Sequence, residues 1–152
     1  MTAREHFTEI LNGMEDIVNN HPYHAFALNA IFIEVLGKCL SSTDWQQGGA
    51  SSTDFKNALK KYPSLQKYQS IFDLYSILRC GLVHALLLKP GAILAPDKND
   101  LLNCTIGCKD LYQDICQAWE DLKLGHVTSQ KDLDAEIMSV IGENSGTTIT
   151  KN

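Results

Sequence analysis

No run of this sequence approaches the ~18 consecutive apolar residues that a membrane-crossing helix needs. The opening residues, "MTAREHFTEIL", lack the basic-then-apolar profile of a secretory leader. Basic side chains are in the minority, 13 against 18 acidic ones, for a formal charge of -5. Such a balance argues against a chain coated in nucleic acid or lying on an anionic membrane, although it leaves room for a local basic pocket. Cysteine is scarce and odd in number, five in all. Without a leader, reduced thiols and a cytoplasmic location are the expectation. Also missing are Gly-x-Gly-x-x-Gly, the Walker loop, the Gly-x-Ser-x-Gly elbow and His-Glu-x-x-His. Nucleotide hydrolysis and the common hydrolase chemistries therefore have no motif to rest on.

What is present is helical periodicity. With 152 residues, 44% of them apolar, the chain is long enough for one self-sufficient core. "REHFTEILNGMEDIVNN" puts Phe7, Ile10, Leu11, Met14, Ile17 and Val18 on one stripe of a first helix, closed by Asn19, Asn20 and Pro22. Tyr23 to Leu40 is apolar nearly all round, as befits a central bundle helix. "SSTDWQQGGASST" is a Gly/Ser-rich loop in which Ser52 or Thr53 would cap a short helix through "FKNALKKY". Beyond Pro63, a long helix is predicted over Ser64 to Leu88, stopped by Pro90-Gly91. The segment "AILAPDKNDLLNCTI" has two short apolar runs around Pro96 to Asp100 and predicts a small hairpin. "CKDLYQDICQAWEDLKL" and "SQKDLDAEIMSVIG" predict two further helices, before a frayed tail. The expected fold is all-α, an up-and-down helical bundle over residues 1–143 with a short β-hairpin inserted, followed by a flexible tail over 144–152.

Candidate functional residues gather in "SILRCGLVHALLLKPG". One face of the predicted long helix carries Tyr68, Ile71, Phe72, Tyr75, Leu78, Leu82 and Leu86, with Arg79 inside that stripe. The opposite side carries Asp73, Ile77, Cys80, His84 and Leu88. Two faces unfit for water need two partners, the chain's own bundle and a second copy of it.

The spacing Arg79-x-x-x-x-His84 near the end of a core helix, followed by Pro-Gly, the hairpin and "LYQDICQAWEDL", resembles the HEPN superfamily of small helical-bundle proteins. The likeness runs from about Tyr23 to Leu124 and lies in the order and length of elements. It implies a homodimer with two motifs around a shared cleft, and in many members a metal-independent endoribonuclease. Carried over, Arg79 would stabilise charge on the phosphoryl group and His84 would move a proton at the ribose 2′-hydroxyl or the leaving oxygen. The RNA brings its own nucleophile, so no metal or other cofactor is implied. An antitoxin-like protein partner follows from the family alone.

The residues themselves leave a second reading open, in which Arg79 pairs with an interior carboxylate, His84 is an interface hydrogen-bonder, and the module only dimerises or binds a protein. Family nucleases commonly place Asn or Asp after the arginine, where this chain has Cys80, a weak hydrogen-bonder whose thiol would be reactive only if accessible. Five residues turn an α-helix by about 140° past its start, so a regular helix does not aim Arg79 and His84 at one spot. Glu34 could orient Arg79, but Lys38 four residues on favours a surface Glu-Lys pair instead. Asp73 lies ~16 Å of rise from His84 on the same stripe and could approach only the other chain's His84 in an antiparallel dimer. Cys104, Cys108 and Cys116, with His126 beyond them, lack zinc-ligand spacing and read as small buried hydrophobes. His6, His21 and His24 read as solvated or capping residues. Trp45 is expected to fold back on the core rather than to stack on a nucleobase.

Overall fold

Thr2 starts the first helix by a reciprocal cap. Its hydroxyl accepts from the Glu5 N–H at 3.2 Å, and Glu5 Oε2 accepts from the Thr2 N–H at 2.8 Å. Helix α1, Ala3–Asn20, follows in the computed structural model, which describes residues 1–83, 86–87 and 89–137. Leu11, Met14 and Val18 are buried along the expected stripe, while Ile10 sits at its edge, 41% exposed. His21 ends α1 with its N–H on the Ile17 carbonyl, and Pro22 opens α2, Pro22–Cys39. Proline suits that first position because its missing N–H would have had no partner there.

Helix α2 is the centre of the fold, as its all-round apolarity implies. Phe26, Ile33 and Leu36 are fully buried, and Phe32 meets Trp119 edge to face at 6.0 Å. Trp119 also donates its indole N–H to Thr8 Oγ1 at 2.9 Å, which ties α1 to α4, Cys108–Lys123. Helix α3, Ser51–Lys61, lies against α2 at Gly37 and carries buried Phe55 and Leu59. Ala50 occupies its N-cap position, so Ser52 and Thr53 fall within the first turn and cap nothing. Tyr62 closes the α2–α3 contact by donating its hydroxyl to the Leu36 carbonyl at 2.7 Å.

The long helix predicted over 64–88 is two different segments. Residues Pro63–Ser70 form a 3₁₀-helix, the chain extends at Ile71, and Asp73 takes a left-handed φ of 53°. A π-helix then runs Tyr75–Val83. Asp73 sits where it can begin that helix: its carbonyl accepts from Ile77 N–H at 3.2 Å and its carboxylate from Ser76 N–H at 3.4 Å. Aspartate tolerates the left-handed region better than most residues. The break puts Phe72 outside the core, 91% exposed, where one continuous stripe would have buried it.

Helical structure among the described residues stops before Pro90, too. Leu86 has φ 55°, and the chain then folds back along the π-helix. A Cβ on Gly81 would lie 2.8 Å from the Leu87 carbonyl oxygen, and Lys89 Nζ reaches Ser76 Oγ at 3.3 Å. Leu86 and Leu87 are thereby left 81% and 72% exposed.

The predicted hairpin is instead a parallel pair, β1 Ile93–Ala95 and β2 Thr105–Gly107, in the register Ile93–Thr105, Leu94–Ile106 and Ala95–Gly107. Pro96 ends β1, and the connection returns through a 3₁₀ turn at Leu101–Asn103 to re-enter from the same end. Asn99 makes that path possible. Its side-chain oxygen accepts from Gly107 N–H at 2.8 Å and its Nδ2 donates to the Tyr68 hydroxyl at 2.9 Å. Tyr68, fully buried, donates in turn to Asp114 Oδ2 at 2.6 Å, which also meets Lys67 Nζ at 3.0 Å. Asn99→Ala should cost about 2 kcal/mol by orphaning a backbone N–H and removing one donor from this network. Urea unfolding measures it, and Asn99→Asp should recover only the Gly107 bond.

A last helix over 129–142 is not formed in its described part. Residues 129–137 are turns ending in a bridge between Glu136 and Thr2. They are held by the open carbonyls at the C-terminus of α2: Gln130 N–H donates to Cys39 O at 2.8 Å, and Lys131 Nζ to Lys38 O at 3.1 Å and to Ser41 O. A cation there also suits the helix dipole. Residues 138–142 of that predicted helix, the predicted domain end at 143 and the predicted tail over 144–152 lie outside the described residues. No helix among the described residues is long and apolar enough to cross a membrane.

Candidate functional site

Residues 31, 34, 35 and 38 fall on one face of α2 by helical spacing. They floor an open cleft of about 870 Å³. His6 and Phe7 of α1 form one side, and Asp44 to Gln47 of the following loop form another. Arg79 enters from the π-helix and Ile137 from the segment after α4. The loop is fixed from below by Lys38, which donates to the Gln47 carbonyl at 3.1 Å while lying 3.2 Å from buried Asp54. Trp45 packs on Phe7 with ring centres 5.3 Å apart, and Lys131 Nζ stands 5.3 Å from its centre. Trp45 has folded back on the core, as its sequence context predicts, while still lining the cleft.

Glu34 and Arg79 are the sequence-singled residues that the fold brings together. Arg79 Nε donates to Glu34 Oε2 at 2.6 Å, with side-chain exposures of 17% and 19%. The alternative surface pair of Glu34 with Lys38 does not form, because Lys38 is engaged by Asp54 and the loop carbonyl. Four charged side chains line the cleft, Glu34, Asp44, Lys38 and Arg79; Arg79 is paired with Glu34, and Lys38 with Asp54 beneath the loop.

The other candidates are placed apart. Asp73 caps the start of the π-helix and does not line the cleft. Cys80 lies against the hydroxyl of Tyr75, five residues earlier, a neighbour relation that the i to i+5 spacing of a π-helix creates. Burial, with the thiol of Cys80 next, pushes the Tyr75 hydroxyl above its ordinary pKa. His84 lies outside the described residues, so the predicted angle of about 140° from Arg79 has no α-helix under it up to Val83.

The cysteines are dispersed. Cys39 and Cys108 are buried, Cys116 and Cys80 half-buried, and Cys104 is exposed in a left-handed turn with φ 54° rather than buried as expected. Burial pushes the Cys39 thiol up to about 12 and that of Cys108 up to about 11, so neither is a thiolate at neutral pH. Among the described residues no three His, Cys, Asp or Glu side chains gather as metal ligands would.

The rim by Ile137 is held by carboxylates. Arg4 donates to Asp134 at 2.8 Å, which holds the Asp134 carboxyl below its usual range, and bonds from Thr2 lower Glu5. A carboxyl whose folded pKa is depressed stabilises the fold above its unfolded pKa of about 4, and that contribution fades as pH falls through the folded value. The melting temperature should therefore drop from pH 5 toward pH 3, and Asp134→Asn should flatten the slope. An unchanged slope would remove Asp134 from the account.

Sequence reasoning missed the loop wall, Asp44, Gln46 and Gln47, although a tryptophan in a Gly/Ser-rich loop signals a loop that packs. Comparison with protein-family models, with curated proteins and with solved structures finds no match for this chain.

Proposed function

We propose that this chain is a non-catalytic, HEPN-like interaction module that pairs with a second copy of itself, with Arg79 serving its architecture. One observation carries the reading: the Arg79 guanidinium is held at 2.6 Å by Glu34 of the same chain, and both are largely out of solvent. A guanidinium already neutralised by a carboxylate has less to give to developing negative charge on a phosphoryl group. The self-pairing rests on exposed Phe72, Leu86 and Leu87, which flank the π-helix and are large apolar groups that a monomer leaves in water. The HEPN likeness is analogy at the level of element order and the Arg-x4-His spacing.

A second reading has its own support. Arg79 lines a solvent-open cleft with its orientation fixed, which is also how a phosphate-stabilising arginine would be held, and His84 would then be the proton carrier of a metal-independent endoribonuclease. Structured and unstructured RNAs incubated with the protein in EDTA separate the two. The module reading expects no cleavage, a dimer mass by light scattering, and a monomer from Leu86→Asp/Leu87→Asp with its circular dichroism unchanged. Cleavage that His84→Ala abolishes without altering the melting temperature would overturn it in favour of the nuclease. A monomer mass at every concentration would sink the self-pairing.

A further inference from the structure

Residues 125–137 close the bundle while adding little to its core. The chain leaves α4 through Gly125, at a φ of 77° that suits glycine, and Leu133 is the one buried side chain from there to Ile137. Hydrogen bonds to two helix ends hold the segment instead. Helix termini leave backbone groups without intrahelical partners, carbonyls at one end and N–H groups at the other. At the C-terminus of α2, Cys39 O accepts from Gln130 N–H at 2.8 Å, and Lys131 Nζ donates to the carbonyls of Lys38 and Ser41. At the N-terminus of α1, Arg4 N–H donates to Leu133 O at 2.9 Å and Ala3 N–H to Ala135 O at 3.4 Å. The spare acceptors of one helix and the spare donors of another are thus served by a single segment. Past Leu133 its side-chain ties are ion pairs, Arg4 with Asp134 and the Met1 ammonium with Glu136, and those carboxylates are 70% and 80% exposed.

We propose that residues 125–137 are a strap that lifts from the folded bundle as one piece, with Leu133 as its anchor and Lys131 as its lock, and that lifting it frees the loop wall of the cleft. Bonds to helix-end groups at a surface exchange readily for water, whereas the apolar layer around Phe26, Ile33 and Trp119 has no such substitute. Local opening draws on segments with few buried apolar contacts and solvent-exposed hydrogen bonds, which describes the strap and not the helices beneath it. The link to the cleft runs through Lys131. Its ammonium bonds the Ser41 carbonyl at the start of the loop and stands 5.3 Å from the centre of the Trp45 ring. Ile137, at the other end of the strap, lies on the cleft rim. Release therefore removes one lining residue and loosens the wall that carries Trp45. Either functional reading accommodates this: the strap gates access to Arg79 in a nuclease, and alters a binding surface in an interaction module.

Native-state hydrogen exchange of the full chain, read amide by amide by NMR, tests it. The amides of Gln130, Ile137 and Arg4 should share one protection factor, ~100-fold below that of Ile33 and Leu36, with little dependence on added urea. Lys131→Met should lower all three together by roughly tenfold, although Ile137 and Arg4 are bonded at the far end of the strap. Leu133→Asp should abolish their protection, keep the helical circular dichroism and raise acrylamide quenching of the tryptophan emission. Of the two tryptophans, Trp119 is 1% exposed, so that rise belongs to Trp45 on the loop wall. Exchange of Gln130 only as slowly as Ile33, with the same urea dependence, overturns the proposal. Loss of helical signal in Leu133→Asp does so too, because the strap would then belong to the global fold. Unchanged Trp45 quenching in a variant whose strap amides have lost protection overturns the gating of the cleft.

Discussion

Gly37→Ala is expected to lower the melting temperature by about 8–16 °C. A Cβ at this position would sit 1.7 Å from the Asp54 carbonyl oxygen and 2.3 Å from its carbonyl carbon. Both atoms are backbone in α3, so no side chain can turn aside. Relief requires α2 and α3 to separate, which would pull Tyr62 from the Leu36 carbonyl and open the layer around Phe55 and Leu59. Overpacking with backbone movement costs about 1–3 kcal/mol in ordinary cores, and a clash this deep belongs above that, on the order of 4 kcal/mol. Domains of this size have only about 5–15 kcal/mol in hand. Gly13→Ala is the matched control. Gly13 lies inside α1 with open space where its Cβ would go, so the same change there should stabilise by about 0.5–1 kcal/mol through helix propensity alone. Two thermal melts decide the matter. If Gly37→Ala melts within ~3 °C of the native protein, the close approach of α2 to α3 is wrong.

The contrast between these glycines shows where the sequence speaks. Helices α1, α2 and α4 are legible because their apolar spacing is long, regular and amphipathic or wholly apolar, and burial follows that spacing. The segment from Pro63 to Pro90 misleads for the same reason. Its apolar residues keep a helical period across a break that only local capping chemistry announces, Asp73 placed three residues before Ser76. The parallel β pair was hidden because its register depends on Asn99 reaching Tyr68 and Gly107, contacts distant in sequence that no alternation pattern encodes. Residues 129–137 read as helix from Leu133 and Ile137, yet the open C-terminus of α2 draws Gln130 and Lys131 into capping it. At the site, Arg79 was legible and its partner was ambiguous. Local spacing favoured Lys38 for Glu34, whereas the fold supplies Asp54 to Lys38 and so leaves Glu34 to Arg79.

Arg79→Met should destabilise the protein by about 2–3 kcal/mol, and the loss should be recovered in large part by removing Glu34 as well. Breaking a fully buried pair costs about 3–5 kcal/mol because a charge is left without compensation, and the exposures of 17% and 19% here reduce that figure through partial solvation. Methionine keeps the aliphatic stem that packs beside the π-helix, so what is lost is the charge and its hydrogen bond. Glu34→Leu/Arg79→Met then replaces an ion pair by apolar groups of similar bulk, a change that is often close to neutral. Urea titrations of the four proteins give the coupling energy, expected at about 2–3 kcal/mol. Repeating them in high salt should change the coupling little, whereas an exposed pair would lose most of it. A single Arg79→Met within 0.5 kcal/mol of the native protein would mean the pair does not hold the π-helix to α2, and the architectural role would fall. A strong coupling combined with a stable, well-folded double variant makes Arg79 an anchor between two helices. The same double variant then serves the RNA assay without the ambiguity of unfolding: any cleavage by the native chain that it lacks belongs to the guanidinium itself.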